Sequence, residues 1–303
     1  MTSELTANTK NEPEVLQKRK RRGKKKVRPL SMMLRLLVWI SAAITFAVLI
    51  FLVAYILVRG VPYLSPSLFE WTYNSENVSM LPSIINTLLM TVIALAVAIP
   101  FGIFTAIFLV EYAKKGNKFV TIVRLTSETL SGIPSIVYGL FGMLFFVTYL
   151  NWGYSLLAGA ATLSIMVLPL IMRTTEEALL AVPDSYREAS FGLGAGKLRT
   201  VFKIVLPSAI PGILSGIILA IGRIVGETAA LIYTAGTMAT LPENVFSSTR
   251  TLSVHMYILS GEGLNINESY ATAVVLLLLV LLINWLSGVA AKKLTSSGLR
   301  DQQ

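Results

Sequence analysis

The chain has 303 residues, of which 54% are hydrophobic and only 14% charged, with a formal net charge of +10. A soluble domain carries about 25% charged residues, so this chain cannot cover a globule of its size with polar side chains, and a helical membrane protein is predicted instead. With no cysteine and a single histidine, disulfides, thiolate chemistry and a transition-metal cluster are excluded.

In chain order the first feature is a basic tail. Residues 1–31 hold ten Lys and Arg against three Glu, a balance of +7 that leaves +3 for the rest. Nine of the bases fall in KRKRRGKKKVR (18–28). No aromatic residues interleave with them and an apolar stretch follows at once, which favours anionic lipid headgroups over nucleic acid as their partner. The apolar stretch exceeds the roughly 7–15 residues of a cleaved signal peptide, so it reads as an uncleaved anchor behind a disordered cytoplasmic tail.

Six stretches are long enough to cross a hydrocarbon core, which takes about 20 residues: 33–57, 83–110, 130–150, 155–174, 207–234 and 270–291. Gly132 and Pro134 interrupt the start of the third, which reads as the ordinary beginning of a helix rather than a broken span. The expected fold is therefore all-α: a polytopic bundle of six transmembrane helices over 32–296, with a short tail at 297–303. There is no internal repeat and no soluble domain; 58–82 and 235–269 are the longest loops.

Basic residues orient this bundle. Lys114, Lys115, Lys118 and Arg124 lie between the second and third spans, Arg187, Lys197, Arg199 and Lys203 between the fourth and fifth, and Lys292, Lys293 and Arg300 after the sixth. The alternate loops hold Arg59 and Arg250 against Glu70, Glu76, Glu243, Glu262 and Glu268. Positive-inside bias predicts cytoplasmic termini and a cytoplasmic loop at 176–206.

That loop contains EASFGLGAGKLRTVFKIVLP (188–207). A phosphate-binding Walker loop would need glycine where Phe191 stands and a hydroxyl where Leu198 stands, so that match fails, and GxGxxG fails as well. The pattern predicts a short helix opened at Pro183-Asp184 and capped by Asp184 or Ser185, then a turn at Gly194 and Gly196. A second helix follows with Leu198, Val201, Phe202 and Val205 as its apolar stripe, and Pro207 suits the first turn of the next span.

Glu188-Ala189, Gly194 six positions after Glu188, and the run Ile204, Leu206, Pro207 resemble the EAA signature of binding-protein-dependent ABC-importer permeases, with Ser190 in place of its second alanine. The resemblance implies that this loop is a coupling helix docked on a separate ATP-hydrolysing subunit, and that the chain is itself non-catalytic and needs no cofactor. IPSIVYGLFG (133–142), RTTEEAL (173–179), GRIVGETAALIYTAG (222–236) and TLSVHMYILS (251–260) look like the permeases of phosphate-specific importers, the PstA type rather than its PstC sister. Ala230 departs from that pattern, which leads one to expect proline.

The partners implied are the ATPase, a homologous PstC-type permease, an extracytoplasmic phosphate-binding protein and inorganic phosphate; another oxyanion such as sulfate or molybdate is the alternative substrate. A stand-alone ion-coupled carrier would use the same intramembrane charges but would not require the EAA stretch. Arg173 and Glu176 are three apart and Arg223 and Glu227 four apart, so each pair can share a helix face. A charge at the bilayer centre costs about 2.5–3.5 kcal/mol or more, so these residues are expected to face the bundle interior or water, as structural ion pairs or as substrate pathway. The resemblance favours the pathway for Arg173, Glu176 and Arg223. His255 is expected to be a solvated loop residue, and Gly139 and Gly142 to permit close helix contact.

Overall fold

The computed structural model describes the backbone of residues 29–114 and 116–300, and side chains from 31 to 293 apart from Lys115. Most of the expected basic tail (1–28), Lys115 and residues 301–303 lie outside those residues. The chain divides into two units, Met1–Ala54 and Tyr55–Gln303. In the first, the described residues belong to the apolar helix α1 (Pro29–Gly60), which runs on into the second.

The second unit contains α2 (Leu81–Ile107), α3 (Lys118–Ser131), α4 (Ser135–Gly142), α5 (Leu156–Leu180), α6 (Asp184–Gly192), α7 (Lys197–Thr200), α8 (Leu206–Val225), α9 (Ala229–Ile232), α10 (Leu252–Glu262) and α11 (Ile266–Arg300). The described residues contain no strand. Among the described residues, five helical segments are long and apolar enough to span a membrane: Ser31–Tyr63, Leu81–Tyr112, Leu156–Leu180, Lys197–Val225 and Ile266–Lys293. A sixth span exists only if α3 and the segment Ser135–Tyr149 count as one, and they are bent by 103°.

That bend corrects the expectation of an ordinary helix start at 130–150. Gly132 donates its N–H to Thr129 O (3.1 Å) and closes α3. Pro134 has no N–H to continue the ladder and pushes Ile133 out of helical geometry. The apolar piece beyond it has 8 residues in α4 and 7 in a π turn, Met143–Tyr149. At 1.5 Å per residue it is roughly 22 Å long, short of the roughly 30 Å of a hydrocarbon core.

The fifth span also differs from the expected 207–234. It begins at Lys197 and stops at Val225, and the chain turns at Gly226 before the single turn of α9. Between α7 and α8 a π turn, Val201–Val205, ends with Leu206 N donating to Val201 O. Pro207 follows directly, and the widened turn accommodates its missing donor without breaking the helix.

Helix α5 is the centre of the bundle, because small residues let α2 and α8 approach it closely. Ser164 Oγ donates to Ala94 O of α2 (3.0 Å). A Cβ on Gly102 would stand 2.8 Å from Ile171, one on Gly212 2.6 Å from Ala178, and one on Gly216 would collide with Thr174. Without a hydrophobic drive between helices in lipid, such close packing and interhelical hydrogen bonds hold the bundle. Met90, Ala94, Ala98, Leu163, Met166, Val167, Ile171, Ala220 and Ile224 fill the core around it. Gly139 and Gly142 serve contact as expected: a Cβ on Gly139 would lie 2.8 Å from Ala230 Cα, and one on Gly142 would meet Thr162 and Thr234.

Candidate functional site

The EAA loop folds as helix, turn, helix. Helix α6 closes with Gly194 N–H donating to Phe191 O (2.9 Å) and Ala195 N–H to Ser190 O (3.1 Å). These are the two bonds of a Schellman cap, which puts its C′ residue in the left-handed region. Gly194 occupies that position with φ +80, whereas Gly196 is extended (φ −73, ψ 161) and its backbone suits any residue. Asp184 and Ser185 do not cap the helix: Pro183 is the N-cap and makes no side-chain bond. The Asp184 carboxylate instead accepts from Arg187 Nη1 (3.1 Å).

The substitution of Ser190 in the signature has a structural use. Thr200 Oγ1 donates to Gly196 O (3.2 Å), which leaves its lone pairs to accept from Ser190 Oγ at 2.8 Å. That buried bond ties α6 to α7 across the glycine turn. The apolar stripe divides in two: Val201 and Val205 are buried in the bundle with Ala209 and Ile213, while Leu198 and Phe202 are exposed. Leu198 and Phe202 form one i, i+4 line along the helix and Val201 and Val205 the neighbouring one, and only the second faces the bundle. Glu188, Ala189 and Gly194 are exposed, and Ile204, Leu206 and Pro207 half-buried. Together with Tyr186, Phe191 and Leu193 (89% exposed), Leu198 gives the loop an apolar surface.

Arg187, legible in the sequence only as one more positive charge, anchors this loop. Its Nε and Nη2 donate to Glu111 Oε1 (3.1 and 2.7 Å), Nη1 to Val182 O (2.8 Å) and Nη2 to Leu179 O (3.0 Å). Glu111 lies in the π turn, Phe108–Tyr112, that ends α2.

The same end of the bundle has a pocket of about 310 Å³ between α3 and α5, lined by Arg124, Ser127, Glu128, Ser131, Met172, Arg173, Glu176, Glu177 and Leu180. The structure places Arg173 and Glu176 here but does not pair them. Arg173 Nε lies 3.1 Å from Glu177 Oε1, its i+4 neighbour on the exposed rim. Glu176, 9% exposed, is met by Arg124 Nη2 at 2.5 Å. Spacing along α5 could not reveal Arg124, which comes from another helix.

Arg223 and Glu227 are separated by the end of α8. Glu227 is buried beyond the helix and caps α9: its Oε1 accepts from Ala230 N–H (3.1 Å), and its backbone oxygen accepts from Ser253 Oγ (2.6 Å). A proline at 230 would have no N–H to give, so the departure at Ala230 supplies this bond. Among the described residues, no ion pair involves Arg223 or Glu227. Arg223, half-buried in the last turn of α8, keeps a guanidinium free for another partner.

At the opposite end of the bundle, two residues differ from their expected surroundings. His255 is fully buried in α10, not solvated, with its ring edge-on to Tyr73 at 6.0 Å. Burial and, second, the Arg250 charge push its pKa down to about 3. Arg250 is 4% exposed and stacks 4.5 Å from the Tyr73 ring. Its Nε and Nη2 have no hydrogen-bond partner among the described residues.

Residues 98–296 match the family described as "Binding-protein-dependent transport system inner membrane component". The probable ABC transporter permease protein YqgI of Bacillus subtilis is 37% identical over 284 residues, covering 85% of this chain and 95% of that protein. The phosphate transport system permease protein PstA 2 of Mycobacterium bovis is also 37% identical, over 76% of this chain and 79% of its own length. Among solved structures, an inward-facing MetNI methionine ABC transporter chain aligns with TM-score 0.57 at 21% identity, covering 70% of this chain and 93% of that one. An importer of the acidic polysaccharide alginate aligns with TM-score 0.55 at 14% identity over 86% of this chain and 99% of that one. Those two likenesses concern the fold. The family match over 98–296 and the relatives at 37% identity, taken with the EAA helix–turn–helix and the apolar spans, lead to one conclusion: the chain belongs to the family of binding-protein-dependent inner-membrane components, the multi-pass permease subunits of ABC importers.

Proposed function

We propose that this permease carries inorganic phosphate inward as the PstA-type half of an ATP-driven importer. The observation that supports this most is its 37% identity, over three quarters of both chains, to a permease named for phosphate transport. The chemistry agrees, because arginine's planar fork presents paired donors to tetrahedral oxyanions. Arg223 has no ion-pair partner among the described residues and lies in an apolar helix, and Arg124 and Arg173 line the pocket at the EAA end.

In this reading a PstC-type permease completes the path, and a phosphate-binding protein delivers the ion at the end that holds Arg250. An ABC ATPase seats on 184–206, supplies all the hydrolysis, and takes the apolar surface of Tyr186, Phe191, Leu193 and Leu198 as its contact. The positive-inside charges support a cytoplasmic position for both termini and this loop. Residues 32–296 form the permease domain, with 1–31 and 297–303 as its tails, although α11 keeps residues 297–300 helical.

The test is ATP-driven uptake of labelled phosphate by the reconstituted four-component complex, with sulfate and molybdate as competitors. Arg223→Gln is expected to abolish uptake with the complex assembled, and Arg223→Lys to retain part of it. Full uptake by Arg223→Gln would remove that residue from the path. Preferential uptake of sulfate or molybdate would replace the substrate.

A further inference from the structure

Helix α3 turns one face toward α5. Arg124, Ser127, Glu128 and Ser131 follow the i, i+3, i+4, i+7 spacing of a single helix face, and all four line the 310 Å³ pocket. Phe119, Ile122 and Leu125 point elsewhere and are exposed. Across the pocket Glu176 is nearly buried, and a buried carboxylate needs a partner to remain ionised. Arg124 is that partner, reaching in from a half-exposed position. On the same wall Arg173 pairs with Glu177 at the exposed rim.

Two guanidinium groups therefore open onto one cavity, each occupied by a carboxylate. A carboxylate and a phosphate offer arginine the same acceptor geometry, so one can replace the other. Three carboxylates (Glu128, Glu176 and Glu177) surround two arginines. An oxyanion that takes both arginines has these three carboxylates around it. Such a pocket captures an anion briefly and repels it soon after.

Building on the phosphate-import reading above, we infer that Arg124 is an oxyanion-binding residue on the exit side of the path. It exchanges Glu176 for phosphate as Arg173 exchanges Glu177, and the displaced carboxylates drive release. Arg124 is thereby a substrate residue contributed by α3, outside the spans that carry Arg173 and Arg223.

The inference is tested in vesicles containing the complete importer, by titrating inorganic phosphate on the ATPase side and measuring inhibition of ATP-driven transport. Occupancy of an exit site predicts that the wild type is inhibited. Arg124→Gln should raise the inhibition constant about tenfold or more, the loss of one charge-assisted hydrogen bond. Glu176→Gln, which removes the competing carboxylate, should lower it and slow turnover. A purely structural Arg124–Glu176 pair would change assembly or maximal rate and leave the inhibition constant where it was. That result, or a wild type insensitive to phosphate on the ATPase side, would overturn the inference. Neither touches the parent reading, which fails separately if the wild type transports no phosphate.

Discussion

The Arg187 guanidinium lies 2.7 Å from Glu111 Oε1 and also holds the backbone oxygens of Leu179 and Val182. One side chain thus joins α6, the end of α2 and the segment after α5. Both partners are well buried, so removing the arginine leaves an uncompensated carboxylate and an orphaned Val182 carbonyl, while the Leu179 oxygen keeps the Val182 N–H (3.3 Å).

Arg187→Ala is accordingly expected to destabilise the permease by about 3–5 kcal/mol. Thermal unfolding of the purified complex measures it. Arg187→Met with Glu111→Leu, which removes both charges, should recover much of that loss, while transport-stimulated ATP hydrolysis stays impaired because the tether between helices is gone.

Gly194 offers a cleaner backbone test, since a Cβ there would meet nothing within 4 Å. The cost of substitution is therefore conformational, about 1–2 kcal/mol for an L-residue in the left-handed region. Gly194→Ala should weaken coupling of ATP hydrolysis to transport, Gly194→Asn should do so less, and Gly196→Ala should leave coupling unchanged. Equal effects at both glycines would show that φ at 194 is not the controlling factor.

Acid should destabilise the bundle through His255. Its folded pKa of about 3 lies below the unfolded value, so the unfolded chain binds the extra proton. The stabilisation is complete above about pH 6.5 and falls by up to about 1.4 kcal/mol per pH unit as the pH drops toward 3. His255→Gln should flatten the decline of melting temperature between pH 6.5 and 4.5 relative to the parent chain.

Topology is open to thiol labelling because the chain has no cysteine. Leu193 and Leu264 are 89% and 85% exposed, which makes them better reporters than the buried Ser190. Leu264→Cys should react with an impermeant reagent on intact cells. Leu193→Cys should react only after permeabilisation of cells lacking the ATPase. Labelling of residue 193 from outside would invert the orientation.

What could be read from sequence was whatever depends on neighbours a few residues away. The helix–turn–helix of 184–206 was legible because the left-handed turn needs glycine at 194 and the flanking residues are helical. Tertiary choices were hidden. Arg173 and Glu176 share a face of α5 by spacing, yet Glu176 prefers Arg124, 52 positions earlier, because that arginine reaches the more buried carboxylate. Glu227 follows Arg223 by four residues, but Gly226 ends the helix and the Ala230 N–H draws the carboxylate away. His255 sits in a segment between spans, and its burial depends on Tyr73 and Arg250 folding over it.

Lys197 and Arg223 are two ends of one rod. The helix between them runs unbroken, and 26 steps of 1.5 Å separate the two by about 39 Å. Its π turn at 201–205 and its prolines at 207 and 211 are gathered near the loop end. From Gly212 to Val225 there is no proline to absorb a displacement. A tilt imposed at the loop is thus expected to bend the rod near its foot and to move the far segment together with α5, against which Gly212 and Gly216 lock it. Arg223, at its tip, is carried with that pair of helices.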